Sequence, residues 1–398
     1  MSHIYDVAII GAGIVGLATA RALAEQLRGI DLVVVDKEPQ VAMHQTGHNS
    51  GVLHSGLYYR PGSLKARLCV DGQRRMGEFC EAHDIPLRRS GKVVVAVEAA
   101  EIARLDELER RGHANGLRDL MRLDPSELRE LEPHVTGVAA LHVPESGVTD
   151  FGLVADAMAK SLPATIRLGS AVEGIVAKGE VTTLITSTGS VAARLVVNCA
   201  GLHADRVAAM AGVDPPARIV PFRGEYFVLS ESAQQLVRAL VYPVPDPRFP
   251  FLGVHFTRGI DGFVEVGPNA VPAFGREHYR GAAASWSDTA DTVRYAGARR
   301  LARRYWRTGA LELWRSTHRA AYAREARRLV PALKAADLAP GGAGVRAQAV
   351  ARDGSLVDDF LVVDGPGSVH VLNAPSPAAT ASLTIGHHIA ERVVGQLR

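Results

Sequence analysis

Apolar residues fill positions 4–10 (IYDVAII) almost without a break, a run that suits a strand buried on both faces. After a glycine-rich turn, 14–27 is rich in Ala and Leu and reads as a helix, and 31–36 (DLVVVD) as a second buried strand. Strand, helix and strand in so short a stretch predict parallel pairing through a right-handed crossover. Residues 62–82 and 98–116 show helical spacing with charges on one side, and 91–97 (GKVVVAV) between them reads as a strand. A second α/β block follows, with a helix over 152–162 and strands over 171–176, 181–187 and 194–198. From Arg218 to Pro268 the pattern changes. RIVPFRGEYFVLS, ALVYPV, FLGVHFT and GFVEVGP are β-rich and separated by Pro, Gly and Asp turns, which predicts a largely antiparallel sheet. Residues 289–329 read as basic helices. The chain returns to strand at 359–363 and 369–372. It closes with a helix over 378–397, where Ile385, Ile389, Val393 and Leu397 recur every four residues.

This order predicts an α/β chain, α+β overall: a discontinuous Rossmann-like dinucleotide-binding domain interrupted by a β-rich substrate domain. The first takes 1–88, 145–215 and 345–398; the second takes 89–144 and 216–344, with the basic helices. At roughly 100–200 residues per domain, 398 residues suit two or three such units. An apolar fraction of 47% excludes wholesale disorder. A net charge of +3, from 45 Lys+Arg and 42 Asp+Glu, is too small to suggest a nucleic-acid binder. Cys69, Cys80 and Cys199 form no CxxC pair, which argues for a reducing compartment and against a metal site. The start lacks signal-peptide features. The longest uncharged apolar run near it, Val7 to Ala20, is 14 residues, short of the ~20 that span a bilayer. A cytoplasmic protein is expected.

The first chemical signal is Gly11-Ala-Gly13-Ile-Val-Gly16, placed between the first strand and the first helix. Gly11 permits the tight turn, Gly13 lets backbone approach a pyrophosphate, and Gly16 lets the helix sit close to the strand. The helix N-terminus offers N–H groups and its dipole to phosphates. Asp36 ends the second strand 20 residues after Gly16, where a ribose hydroxyl needs an acceptor and a 2′-phosphate would be repelled. A glycine-rich turn alone is weak; this context and spacing make it specific. Gly341-Gly-Ala-Gly344 lacks a following helix and reads as a turn. A single fingerprint at the N-terminus, with the sheet completed by the last 50 residues, is similar to flavoproteins rather than NAD dehydrogenases. Val196-Val-Asn-Cys-Ala-Gly201 resembles the second FAD-contacting strand and turn of the D-amino-acid-oxidase-like superfamily.

More specific is His44-Gln-Thr-Gly-His-Asn-Ser-Gly-Val-Leu-His54 and its continuation to Lys65, whose glycines and short polar residues suit a loop wrapped on a cofactor. With Pro221–Phe227, Gly253–Thr257, Gly344–Ala349 and Asn373–Thr380, it resembles the L-2-hydroxyglutarate oxidase/dehydrogenase family across the whole chain. The basic segment matches least distinctly. The resemblance implies FAD and oxidation of (S)-2-hydroxyglutarate by hydride transfer to flavin N5; no Cys or His sits in an attachment motif, so non-covalent FAD is expected. Electrons would leave for a quinone, another acceptor or oxygen. It extends the cofactor contacts to Lys37, Gln45, Thr46, Asn49, Ser50, Gly51, Val172, Ala200, Gly201, Arg346, Asn373, Pro375, Ser376 and Ala378. His44 and His48 read as loop or flavin neighbours.

A dicarboxylate substrate requires fixed cations and a base for its hydroxyl. Arg346, Arg223 and Lys65 are the candidate cations, and Tyr58 a candidate hydrogen-bond donor. Each also has an ordinary structural role open to it, as a surface arginine, a strand residue, a helix-start lysine or a packed ring. The base is His54, inside the glycine-rich loop, or His255, flanked by apolar residues on a strand. The rivals are another hydroxy acid, an amino acid or glycerol 3-phosphate as substrate, or a flavin-bearing scaffold without turnover.

Between Arg294 and Arg328 stand 11 arginines and two glutamates, with five aromatic residues (Tyr295, Tyr305, Trp306, Trp314, Tyr322) interleaved. Such helices suit a solvated face with the aromatics in the core. They also suit a peripheral seat on the anionic inner face of the cell membrane, near a quinone.

Overall fold

The computed structural model describes residues 3–246, 252–279 and 285–397. Strand Ile4–Ile10 lies at the centre of an eight-stranded sheet, with Val7, Ala8 and Ile9 wholly buried. It pairs in parallel with Leu32–Val35 on one side and Gly189–Asn198 on the other. Thr165–Arg167 and Ser368–Asn373 extend the parallel part. Val172–Lys178, Val181–Thr186 and Leu361–Gly365 add antiparallel edges. The two ends of the chain meet here. The predicted stripe of Ile385, Ile389 and Val393 packs into the same core as Val7, Ile9 and Leu23. Helix Ser382–Leu397 approaches helix Ile14–Gln26 so closely that a Cβ on Gly386 would stand 2.4 Å from the Ala18 carbonyl oxygen.

The second, nine-stranded sheet is antiparallel at every pairing but one. Ala217–Leu229 pairs with Val264–Gly267, Val271–Pro272 and Leu338–Ala351, as the alternation over 218–268 predicts. The exception is Leu240–Pro243, which runs parallel to Lys92–Ala96. Phe256, Val241 and Val93 fill its core together with Tyr322 from helix Arg319–Ala326. A small third sheet joins Val52–Leu53, Gly147–Thr149 and Leu87–Arg88. The basic stretch forms helices Trp286–Arg294, Ala296–Thr317 and Arg319–Ala326.

Three expectations change. The glycines at 341–344 lie inside strand Leu338–Ala351 rather than in a turn. They serve close approach: a Cβ on Gly341 would stand 2.8 Å from the Tyr226 carbonyl oxygen, and one on Gly344 would stand 2.6 Å from that of His48. The domain boundary expected at 345 therefore falls within a continuous strand. The last helix begins at Ser382 rather than 378, because Pro375 to Ala381 is taken up by turns. The helix expected over 98–116 starts as a 3-10 turn and is regular over Ile102–Ala114. The first residues of FLGVHFT fall on or beside the undescribed stretch at 247–251, and its regular strand is His255–Arg258. All three cysteines are free and buried.

The helix contact at Gly386 gives a direct test. Gly386→Ala should destabilise the fold by ~1–3 kcal/mol, the usual cost of overpacking a tight contact. Its Tm should fall relative to wild type in a thermal melt followed by far-UV circular dichroism.

Candidate active site

The parallel strands end on one side, and the turns that follow them meet there. Gly11 (φ +110°) leads into the first turn, and a Cβ on it would stand 2.4 Å from the Cys199 carbonyl oxygen. A Cβ on Gly16 would stand 2.0 Å from the Gly11 carbonyl oxygen. The protein's own packing demands both glycines. Gly13 differs: a Cβ there would meet only Thr46 Oγ1, at 3.4 Å. Nothing in the protein crowds it, so its bare backbone makes room for a guest. Helix Ile14–Gln26 starts at this point, and its Ile14 N–H donates to Thr46 Oγ1 at 3.1 Å. Asp36 braces the turn from the neighbouring strand, accepting from Ala12 N at 2.6 Å and Glu38 N at 2.9 Å.

A cavity of about 1390 Å³ runs from this cradle to the nine-stranded sheet. Gly11, Gly13, Asp36, Lys37, Gln45, Thr46, Asn49 and Ser50 line its first part. Val172, Ala200, Gly201, Pro375, Ser376 and Ala378 line it as well. Asn49 holds the 45–51 loop in shape, donating to the Gln45 and Thr46 carbonyls and accepting from Gly51 N. Gly51 (φ +67°) sits behind that loop, where a Cβ would stand 2.5 Å from the Thr149 carbonyl oxygen. Gly16 and Gly51 thus shape the wall without lining it.

At the far end the cavity is lined by His54, Tyr58, Lys65, His255 and Arg346, brought from four separate stretches of chain. His54 is fixed through its backbone, donating to Thr380 Oγ1 at 3.1 Å, and its Nε2 lies 3.4 Å from Ser376 Oγ. The Nδ1 of His255 lies 2.8 Å from the Gly253 carbonyl, which must accept from it. Nδ1 therefore carries the proton, and Nε2 is left as the basic nitrogen. Burial and the Lys92 ammonium hold His54 down at about 3. Burial likewise holds His255 at about 4. Lys65 Nζ donates to Asp358 Oδ1 at 3.1 Å, so its charge is already shared. Tyr58 Oη is buried with no hydrogen-bond partner among the described residues.

Two further expected residues, besides Gly16 and Gly51, do not line the cavity. Arg223 points away on its strand and pairs with Glu225, two positions along the same face. Asn373 is buried and donates to the Val357 and Asp359 carbonyls, fixing the segment that carries Asp358. Its role is to hold the wall. Four residues were missed. Tyr226 and Tyr242 line the cavity, and Lys92 lies buried behind Tyr58 and Tyr242. A lysine within a valine strand was the available signal for the last. Glu277 was also missed. It joins Lys37 at 2.8 Å and His203 at 2.6 Å over the cradle, and these partners hold its carboxyl down at about 2. Glu38, His44 and Glu277 are spaced as metal ligands could be, but Lys37 meets both carboxylates, so an ion-pair network satisfies them.

The chain belongs to the FAD dependent oxidoreductase family, whose sequence model matches residues 6–392. Within that class it belongs with the L-2-hydroxyglutarate dehydrogenases. It is 46% identical to the enzyme of that name from Indibacter alkaliphilus, over 97% of this chain and 98% of that one. Identity to the Escherichia coli K12 enzyme of the same name is 45%, over 98% of this chain and 93% of that one. The fold matches the FAD-bound L-alpha-glycerophosphate oxidase of Mycoplasma pneumoniae with a TM-score of 0.80 at 22% identity, covering 99% of this chain and 95% of that one. The glycine cradle and the long cavity fit the cofactor of this family.

The depressed basicity of His255 has a consequence for stability. The unfolded imidazole gains its proton near pH 6.5, whereas the folded one stays neutral down to about 4. Stability is therefore intact above pH 6.5 and falls as pH drops toward 4. Urea midpoints measured at pH 7.5 and 5 should differ less in His255→Asn than in the wild type.

Proposed function

We propose that this chain oxidises L-2-hydroxyglutarate to 2-oxoglutarate. The observation that carries the reading is the single cavity that joins the dinucleotide cradle to two neutral histidines and an arginine. Bound FAD supplies the acceptor for the hydride that leaves Cα of the substrate. We assign Gly11, Gly13 and the start of helix Ile14–Gln26 to its pyrophosphate, and Asp36 with Lys37 to the adenosine ribose. The 45–50 loop and the 375–378 turn enclose the rest, and attachment is non-covalent. The eight-stranded sheet is then the cofactor half and the nine-stranded sheet the substrate half.

Arg346 takes one substrate carboxylate, since its planar guanidinium meets two oxygens at once. Lys65 and the unpartnered Tyr58 Oη serve the other. His54 and His255 stand neutral at pH 7, so either can accept the hydroxyl proton as hydride departs. The two negative charges of the substrate raise their basicity toward neutral on binding. The buried setting keeps water from competing for the oxidised carbon.

Anaerobic mixing with L-2-hydroxyglutarate should bleach the flavin, and the D enantiomer, glycerol 3-phosphate and amino acids should not. Failure of the L enantiomer alone would end the reading. Arg346→Met should lower kcat/KM for flavin reduction by about 10²-fold, the scale of a lost charge-assisted pair.

We further propose that the chain docks on an anionic membrane surface and passes electrons to a quinone there. Among the described residues no helix is long and apolar enough to cross a membrane. Trp286 and Trp306 are 84% and 62% exposed, and Arg299, Arg300, Arg303, Arg304 and Arg307 are exposed on the helix that carries Trp306. Tyr295 and Tyr322, by contrast, are buried in the core. Exposed indole beside arginine is the pattern of an interfacial helix. In liposome flotation, the protein should float with anionic vesicles at low salt and less so at high salt. Recovery wholly in the soluble fraction would leave oxygen or a soluble acceptor as the partner.

A further inference from the structure

Lys92 opens the buried strand Lys92–Ala96 and is 1% exposed. An ammonium taken out of water is costly unless a counter-charge meets it. Among the described residues, no carboxylate oxygen lies within 4.0 Å of this one. Its Nζ stands instead 4.5 Å from the ring centre of Tyr58 and 5.4 Å from that of Tyr242. The negative faces of the rings hold the cation. Both rings line the cavity, and Tyr242 packs on His255 with ring centres 4.1 Å apart. The lysine thus lies one aromatic layer behind His255, one of the two proposed proton acceptors.

The charges around these imidazoles are mostly positive. His54 faces Lys92, His255 and Lys65; His255 faces Arg346 and Lys92. Lys92 itself faces Cys69, whose thiol burial pushes up to about 12, and the carboxylate of Glu145. Burial lowers Lys92 to about 8, so it is charged at neutral pH. Replacing it by an apolar residue of like volume would relieve a buried charge. A stability cost kept beside a reaction centre points to a use.

We propose that Lys92 is a positioning residue: its ammonium, seated on Tyr58 and Tyr242, adds to burial in keeping His54 and His255 neutral and ready to accept a proton. This rests on the proposed oxidation of a hydroxy acid by this site. It adds that the charge deterring imidazolium formation comes from behind the pocket wall, where it does not occupy space the substrate needs.

The test compares Lys92→Met and Lys92→Arg as holoenzymes. Lys92→Met should keep its FAD and melt at or above the wild-type Tm. The acid limb of its kcat/KM profile should move up by about one pH unit, the scale of one neighbouring charge. NMR titration of labelled histidines should show the same move for His54 or His255, and Lys92→Arg, which keeps the charge, should reverse it. An acid limb and histidine titration unchanged in Lys92→Met would overturn the proposal. So would a lowered Tm with activity reduced equally at every pH, which marks a packing role. If wild-type flavin is not reduced by L-2-hydroxyglutarate, the function fails, while the histidine titration still decides the effect of Lys92 on the imidazoles.

Discussion

Everything in this fold depends on how closely two turns can approach each other at the ends of parallel strands. Gly11 presses on the carbonyl of Cys199, and the Cys199 N–H returns a hydrogen bond to the Ile10 carbonyl at 2.8 Å. No side chain fits between them. That contact brings the Gly11–Gly16 turn, Asp36 and the Ala200–Gly201 turn to one edge, where backbone donors and a helix start face the same space. The dinucleotide cradle is therefore a product of sheet packing and asks little of individual side chains.

The reacting end is built differently. His54 comes from the loop beside the small sheet, Ser376 from the turn before the last helix, and His255 and Arg346 from the nine-stranded sheet. Gly344 joins the two halves, because without a Cβ the strand can lie against the His48 carbonyl. Groups from such distant stretches hold their geometry only if both sheets are rigid. The valine strands and the Tyr322-filled core supply that rigidity.

How much of this was legible follows from the same division. The cradle was readable because each requirement is local: a glycine, a spacing, an acidic residue at the end of a strand. His54, His255 and Arg346 were found as types in suggestive settings, and the sheets then brought them together. Arg223 was expected at the cavity from its place in an apolar strand, which names a face without saying which face meets the cavity, and Asn373 was carried over from the family resemblance. Glycines 341–344 looked like a turn because no apolar alternation marks a strand whose task is close approach. Lys92 went unremarked because a cation behind two rings leaves no motif; its significance lies in Tyr58, Tyr242 and His255, which are 34, 150 and 163 positions away.

The pairing of Gly189–Asn198 with Ser368–Asn373, and of the first helix with the last, also bears on biosynthesis. A ribosome delivers the Gly11 turn long before the strand Ser368–Asn373 and the helix Ser382–Leu397 that complete its sheet. Until then the nascent chain has six of the eight strands and an open parallel edge, the kind of surface that invites aggregation. Capture of the nucleotide must therefore wait until that late strand and helix have emerged and closed the sheet.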